Sequence, residues 1–265
     1  MEERFAVTYA RNARAGDRSI ELAKLWANEL NVPCIERSHN ESLDDMLAKH
    51  QLDVIIVVKN NRPTVHSPEG EFSYHQSMAY LRLLNIEQGK GDHLVTALDL
   101  KEGMRVLDGT LGLATDATIA SCMVGSVGIV VGTEASKLLH FCVSQGLANF
   151  EADSPRLTEA MRRIETHNLT AYEYLKTCKP GDFDVIYFDP MFQRPVKGSV
   201  AMDALRPLSY HKPLDEETIQ LALKIAPKVV IKERAEYILR ELGCTEFVGG
   251  KYSRVKFGIR RREEP

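Results

Sequence analysis

An apolar run, Asp184-Val185-Ile186-Tyr187-Phe188, leads into Asp189-Pro190-Met191-Phe192, and this tetrapeptide has the residue types to act on an amine. The run reads as a buried strand that stops at an Asp-Pro turn. Asp189 offers carboxylate oxygens, Pro190 offers a carbonyl from a residue with no N–H of its own, and Phe192 offers an aromatic face. An amine conjugated to a purine ring is a poor nucleophile because its lone pair is delocalised into the ring. Hydrogen-bond acceptors at Asp189 and Pro190 favour tetrahedral geometry at that nitrogen, and Phe192 can stack on the base. A strand ending beside a core phenylalanine would explain the same residues without chemistry.

Further upstream, Arg105-Val106-Leu107-Asp108-Gly109-Thr110-Leu111-Gly112-Leu113-Ala114-Thr115-Asp116 reads as a strand, a turn of small residues and the start of a helix. Nucleotide-like ligands bind at such strand ends. Gly109 and Gly112 would let the backbone approach a ligand, and Asp108 can hold the ammonium of a methionine moiety. The next strand, Gly128 to Gly132, leads through Thr133 to Glu134, about 20 positions after the glycines, where nucleoside sites carry a ribose-binding carboxylate. A bare turn, and a carboxylate favoured by a helix N-terminus, are the structural alternatives.

These residues need a scaffold, and the pattern around them supplies one. From Arg105 onward strands alternate with helices: Arg105 to Leu107, Gly128 to Val131, Arg163 to Glu165, Asp184 to Phe188 and Lys228 to Ile231. Alternation of this kind predicts a parallel sheet flanked by helices. Thr245 to Val248 and Arg254 to Ile259 flank Gly249-Gly250 and read as an antiparallel hairpin closing the sheet edge. Ahead of this domain, strands at Phe5 to Tyr9, Pro33 to Glu36 and Val54 to Val58, with helices at Ser19 to Leu30 and Leu43 to His50, predict a small α/β unit. Asn60-Asn61 turns it into a short strand at Thr64 to His66. The expected organisation is therefore a small α/β domain over 1–73, a helical connector over 74–102, and the main domain over 103–265. Helices at Tyr74 to Asn85 and His93 to Leu98 occupy the connector, broken by Gly89-Lys90-Gly91-Asp92.

Composition excludes several classes. At 265 residues, 44% hydrophobic and 27% charged, the chain has the make-up of an ordinary globular protein. No apolar run approaches the ~20 residues of a membrane span, and the first residues lack a signal-peptide pattern, so a cytoplasmic protein is expected. A net charge of −3 confines any nucleic-acid contact to local patches. Cys34, Cys122, Cys142, Cys178 and Cys244 are odd in number and widely spaced, which predicts reduced, mostly buried thiols. Pro33-Cys34 lies in the first unit, far from the place a cytosine-directed nucleophile would occupy, so Cys34 reads as a buried strand residue. No histidine pair has the helical spacing of metal ligands, and no metal is expected.

The tetrapeptide at Asp189 is close to the Asp/Asn-Pro-Pro-aromatic signature of exocyclic-amine methyltransferases. With Ser77-Met78-Ala79, Gly89-Lys90-Gly91-Asp92, Asp108 to Asp116, Gly146-Leu147-Ala148 and Gly250-Lys251-Tyr252-Ser253-Arg254, it makes the chain resemble the RsmJ-like family of ribosomal RNA small-subunit guanine-N2 methyltransferases. The first unit is hard to match. The resemblance implies a Rossmann-like class I fold, with a seven-stranded mostly parallel sheet and a C-terminal antiparallel hairpin. It implies S-adenosyl-L-methionine as cofactor and ribosomal RNA, or the small ribosomal subunit, as partner. It also implies cofactor contacts at Thr115 and Asp116, Glu134 and Ala135, His167 and Asn168, and Asp189, beside those read directly at Asp108 and Gly112. Catalysis would rest on Asp189, Pro190 and Phe192. The chain departs from the family's usual residues at Ala114, Thr115, Ala135, His167-Asn168 and Gln193, which marks a divergent member and bears on the substrate more than on the cofactor.

Arg194, Lys197, Lys251, Arg254, Lys256 and Arg260-Arg261-Arg262 suggest a basic surface for RNA, against the plainer reading of a solvated charged rim. Methyl transfer to adenine N6 or to a small molecule, and a non-catalytic cofactor- or RNA-binding module, are the alternatives to guanine N2.

Overall fold

The structure is a computed structural model that describes residues 4–9, 17–38, 40–190, 213–250 and 253–263. They fall into two compact units, one holding the described residues up to 75 together with 137–149, the other holding the remainder.

In the first unit, β1 (Phe5–Tyr9), β2 (Val54–Lys59), β3 (Arg62–Ser67) and β4 (Gly70–Ser73) form a sheet in that order, with β1 and β2 parallel and the rest antiparallel. Burial of nearly every residue of β1 and β2 explains why both read as continuous apolar runs. Asn60 and Asn61 adopt φ 52° and 59°, the left-handed pair that a tight hairpin turn requires. Strand β4 escapes a sequence reading because only Phe72 in it is buried. Helix α1 (Asp17–Leu30) packs on β1 and β2, and α2 (Leu43–His50) opens with a capping box between Ser42 and Asp45. Helix α6 (Lys137–Asn149) sets Phe141 edge-on to Trp26, and its Gly146 gives the Tyr74 ring a seat that a side chain would fill.

The expected strand at Pro33 to Glu36 is absent. Only one parallel bridge forms, Val7 with Cys34, in which Val7 N–H donates to Pro33 and Ile35 N–H donates to Val7. Pro33 has no N–H to extend the ladder. Cys34 is consequently exposed, not buried as its apolar neighbours suggest. Cys122, Cys142 and Cys244 are buried as expected.

The second unit carries a seven-stranded sheet in the order β10-β11-β9-β8-β5-β6-β7. Its strands are β5 (Arg105–Asp108), β6 (Ile129–Thr133), β7 (Ile164–His167), β8 (Val185–Phe188), β9 (Lys228–Glu233), β10 (Glu246–Val248) and β11 (Lys256–Arg261). The five from β9 to β7 in that order are parallel, while β11 runs antiparallel to β9 and β10 antiparallel to β11. This is the expected sheet with its terminal hairpin.

Parallel pairing brings the C-terminal ends of β5, β6, β7, β8 and β9 to one edge. One face of the sheet, including Leu107, Val131, Ile186, Phe188, Val229 and Ile231, packs with Leu175 of α8 (Ala171–Leu175), Ile219 and Ala222 of α9 (Glu216–Ile225) and Leu239 of α10 (Glu236–Glu241). Each of these side chains larger than alanine contributes roughly 1.5–3 kcal/mol. From the other face Tyr187 reaches Asp116 of α5 (Thr115–Val124), and α5 packs against α7 (Pro155–Arg162). Helices α3 (Ser77–Glu87) and α4 (His93–Leu98) belong to this unit and contact α5. Asp92 caps α4, its carboxylate accepting from Leu94 N–H and Val95 N–H. Among the described residues no helix is long and apolar enough to cross a membrane.

Candidate active site

The turn after β5 is built by its neighbours. Gly109 N–H donates to Tyr187 O at 2.8 Å, and a side chain at Gly109 would collide with the Phe188 ring. Gly109 therefore serves the packing of β5 against β8, not the approach of a ligand. Gly112 differs, since at φ 49° a Cβ there would meet nothing closer than Thr110 O at 3.8 Å. Ala114 caps α5 in the left-handed conformation at φ 59°, where an alanine costs about 1–2 kcal/mol more than a glycine.

Asp108, at the end of β5, is buried, and one of its oxygens accepts from Thr110 N–H at 3.0 Å. No described residue donates to the other oxygen. Burial pushes its pKa up to about 8, with Asp116 and Asp189 adding to the rise against the Thr110 N–H. Thr110 also accepts the Asp189 N–H at 2.5 Å, tying the turn to the end of β8.

Glu134 follows β6 and is buried. Its carboxylate accepts from Gly112 N–H at 3.1 Å and from Ser136 N–H at 2.9 Å. Burial raises its pKa, opposed by those backbone donors. Asn168 donates to the carbonyls of Glu134 at 2.9 Å and Ala135 at 3.3 Å, and Glu134 N–H donates to His167 O. The His167 ring pairs with Glu165 at 2.8 Å and lies 4.7 Å from the Tyr174 ring. Through the Glu134 N–H and the Asn168 side-chain amide, then, 134–135 and 167–168 form one connected rim.

Sequence reasoning missed the largest feature of the site, a row of half-buried charge. Lys232 Nζ donates to Asp189 Oδ2 at 2.6 Å and to Asp116 Oδ2 at 3.0 Å. Asp116 Oδ2 also accepts from Tyr187 OH at 2.7 Å, and Asp116 Oδ1 accepts from Arg82 at 2.5 Å. Arg82 in turn grips Asp92 with bonds of 2.8 and 3.0 Å. Burial would raise the pKa of Asp116, but Lys232 and Arg82 outweigh it and hold it at about 2. Asp189 is pushed up to about 6, by burial first and then by Asp116, against Lys232. Burial would lower the pKa of Lys232, yet Asp116 and Asp189 hold it above the usual lysine range. Tyr187 is pushed well above the usual phenol range by its burial and by Asp116.

Asp108, Gly112, Thr115, Asp116, Glu134, Ala135, His167, Asn168, Asp189 and Pro190 thus all lie at the strand-end edge of this unit. Asp116 spends its carboxylate on protein partners. Phe192 lies outside the described residues, as do Arg194, Lys197 and Lys251 of the basic surface. In the described part of that surface Arg260 pairs with Glu216 at 2.8 Å and Arg261 with Glu246 at 2.7 Å, which favours a rim of paired charge there. Among the described residues no cluster of His, Cys, Asp or Glu is arranged to hold a metal. Lys232 and Arg82 went unnoticed because a lysine on a strand and an arginine in a helix carry no motif; the available signal was a lysine following Val229-Val230-Ile231 within a buried strand.

The sheet order, the antiparallel last strand and the acids at the ends of neighbouring strands define a Rossmann-like class I methyltransferase. Residues 39–255 match the family described as "Putative SAM-dependent methyltransferase", and the chain belongs to that family. Its cofactor is accordingly S-adenosyl-L-methionine. A Bacillus subtilis relative, the uncharacterized protein YpiP, is 35% identical over 218 residues, spanning 82% of this chain and 84% of that one. The ribosomal RNA small subunit methyltransferase J of Cellvibrio japonicus is 28% identical over 187 residues, 66% of this chain and 69% of that one, and that of Mannheimia succiniciproducens is 28% identical over 56% and 60%. The chain is thus a divergent relative of the group its motifs resemble. Among solved structures, TrmN from Thermus thermophilus is similar at a TM-score of 0.45 and 14% identity, over 98% of this chain and 72% of that one.

Proposed function

We propose that this methyltransferase acts on an exocyclic amine of a base in structured RNA, and specifically on guanine N2 of small-subunit ribosomal RNA. The observation that carries the reading is Asp189: a carboxylate at the end of β8, followed by Pro190, with Oδ2 held by Lys232 and no described residue donating to Oδ1. The names of the methyltransferase J relatives support the choice of RNA.

The residues present fit the cofactor. Asp108 keeps an acceptor oxygen for an ammonium, Gly112 leaves open space over the turn, and Glu134 retains acceptor capacity for ribose hydroxyls beyond its two backbone bonds. Thr115, Ala135, His167 and Asn168 complete the rim around it. When bound, S-adenosyl-L-methionine would supply a methyl group made electrophilic by its sulfonium, with a neutral thioether as the leaving group. Asp189 Oδ1 and the Pro190 carbonyl accept the amine hydrogens and keep the nitrogen lone pair available. After transfer the nitrogen carries an extra proton, and Asp189, with a pKa of about 6, is suited to take it. Phe192 supplies the stacking face for the base.

Mass spectrometry of ribosomal RNA nucleosides from cells with and without the gene tests the reading. Loss of N2-methylguanosine on deletion is expected. Loss of N6-methyladenosine instead would move the acceptor to adenine, and an unchanged nucleoside profile would overturn the RNA assignment.

A further inference from the structure

We propose that Lys232 is a positioning residue for the acceptor amine: it clamps Asp189 through Oδ2 and so reserves Oδ1, in its ionised form, for an amine hydrogen. This rests on the role given to Asp189 above. Strand register supplies the geometry, because Phe188 pairs with Ile231 on the parallel strands β8 and β9, and the residues that follow each pair come side by side. The ammonium has little freedom. It contacts Asp189 at 2.6 Å and Asp116 at 3.0 Å, and Asp116 is fixed in turn by Tyr187 and by Arg82, whose other partner Asp92 caps α4. A chain of charge-assisted bonds running back to a helix cap therefore sets the direction of the Asp189 carboxylate.

Charge balance distinguishes this role from simple stabilisation. Asp189 is faced by Lys232 and Glu233 from β9, by Asp116 from α5, by Asp108 from β5 and by Tyr187 from β8. Among these groups Lys232 is the cation, and the others are acids or a phenol. A buried ion pair adds little stability over an apolar pair of similar volume, so a lysine placed among acids suits a site that must keep one carboxylate charged. Removing the ammonium leaves Asp189, among the described groups that face it, beside acids and a phenol, and its affinity for a proton must rise.

The test is Lys232→Met and Lys232→Arg, read in two ways. Carbon-13 NMR of aspartate-labelled protein, with the Asp189 signal assigned through Asp189→Asn, follows the carboxylate titration without cofactor or RNA. The midpoint should move up by at least one pH unit in Lys232→Met and stay near the wild-type value in Lys232→Arg. Single-turnover transfer to ribosomal subunits should show the acid limb of the rate profile moving with it, a loss of about tenfold per unit on that limb, largely recovered at higher pH. The KM for RNA should stay unchanged. An unmoved Asp189 midpoint in Lys232→Met overturns the proposal, and if that variant does not fold, an Asp189 midpoint that rises by a unit or more in Lys232→Arg, where a cation is retained, does the same. Should the wild-type protein transfer no methyl group to RNA, the RNA reading fails while the NMR titration still decides the coupling of Lys232 to Asp189.

Discussion

Gly112 donates its backbone N–H to the Glu134 carboxylate at 3.1 Å, which fastens the turn after β5 to the acid that ends β6. Glu134 therefore has a structural duty as well as the ribose-binding role proposed for it. Glu134→Ala should weaken binding of S-adenosylhomocysteine by ~1.5–3 kcal/mol, about one to two orders of magnitude, through lost bonds to a charged acceptor. Glu134→Gln, which keeps one acceptor oxygen but places an amide NH2 donor against the second N–H, should fall between. Calorimetry gives the affinities and thermal melting the stability. A lower melting temperature with unchanged affinity would confine Glu134 to holding the turn.

Asp108 should trade stability for binding. Its folded pKa of about 8 lies above the ordinary value of 3.8, so protonation favours the fold; stability declines as pH rises from about 4 to 8, and the full penalty applies above that. Asp108→Asn keeps the acceptor for Thr110 N–H and cannot ionise. It should stabilise the ligand-free protein by on the order of 2–4 kcal/mol at pH 7 and flatten the pH dependence, while cofactor affinity drops. In the wild type, a ligand ammonium would draw the proton off Asp108, so calorimetry below pH 8 in buffers of different ionisation enthalpy should register proton release. Equal heats in all buffers would mean that Asp108 is already ionised or does not meet the ammonium.

Much of this was legible because single strands carry their own signals. Buried strands such as Val54–Lys59 and Val185–Phe188 announce themselves as apolar runs, and Asp108, Glu134 and Asp189 stand where the runs of β5, β6 and β8 stop. What stayed hidden depends on partners distant in sequence. Lys232 becomes part of the site only through pairing with β8, and Arg82 only through a bond to a residue 34 positions away. Gly109 carried the opposite lesson: a glycine in a ligand-binding turn suggested room for a ligand, whereas the Phe188 ring occupies the space. Pro33 to Glu36 has strand-like composition, but the proline and the single bridge to Val7 limit it.

Gly132 should be intolerant of even a methyl group, because a Cβ there would collide with the Leu111 side chain, which lies in the turn after β5. Leu111 is also tied to this strand end by its N–H, which donates to Thr133 O at 2.9 Å. Gly132→Ala should cost roughly 1–3 kcal/mol by overpacking. Leu111→Ala alone should also destabilise, but the double variant should be less damaged than the sum of the two. Denaturant unfolding of the four proteins measures the coupling, and strict additivity would show that the side chain at 111 moves aside.

Asp189 should matter far more for methyl transfer than for folding. As a carboxyl with a folded pKa of about 6, above its ordinary 3.8, it favours the fold when protonated, and that contribution is lost as pH rises from about 4 to 6. Replacing it with a group that cannot ionise removes this loss. Asp189→Asn should therefore be as stable as the wild type at neutral pH, or more stable by about 1–2 kcal/mol, with Lys232 still held by Asp116 at 3.0 Å. Its single-turnover rate on ribosomal subunits should fall by about 10²–10³-fold, the usual effect of losing one directed polar contact in a transition state, and Asp189→Ala should fall at least as far. The wild-type rate should decline below pH 6 as the carboxyl takes up its proton. Transfer by Asp189→Ala at the wild-type rate, with an intact melting transition, would remove Asp189 from the chemistry and leave the Pro190 carbonyl as the remaining acceptor of the turn.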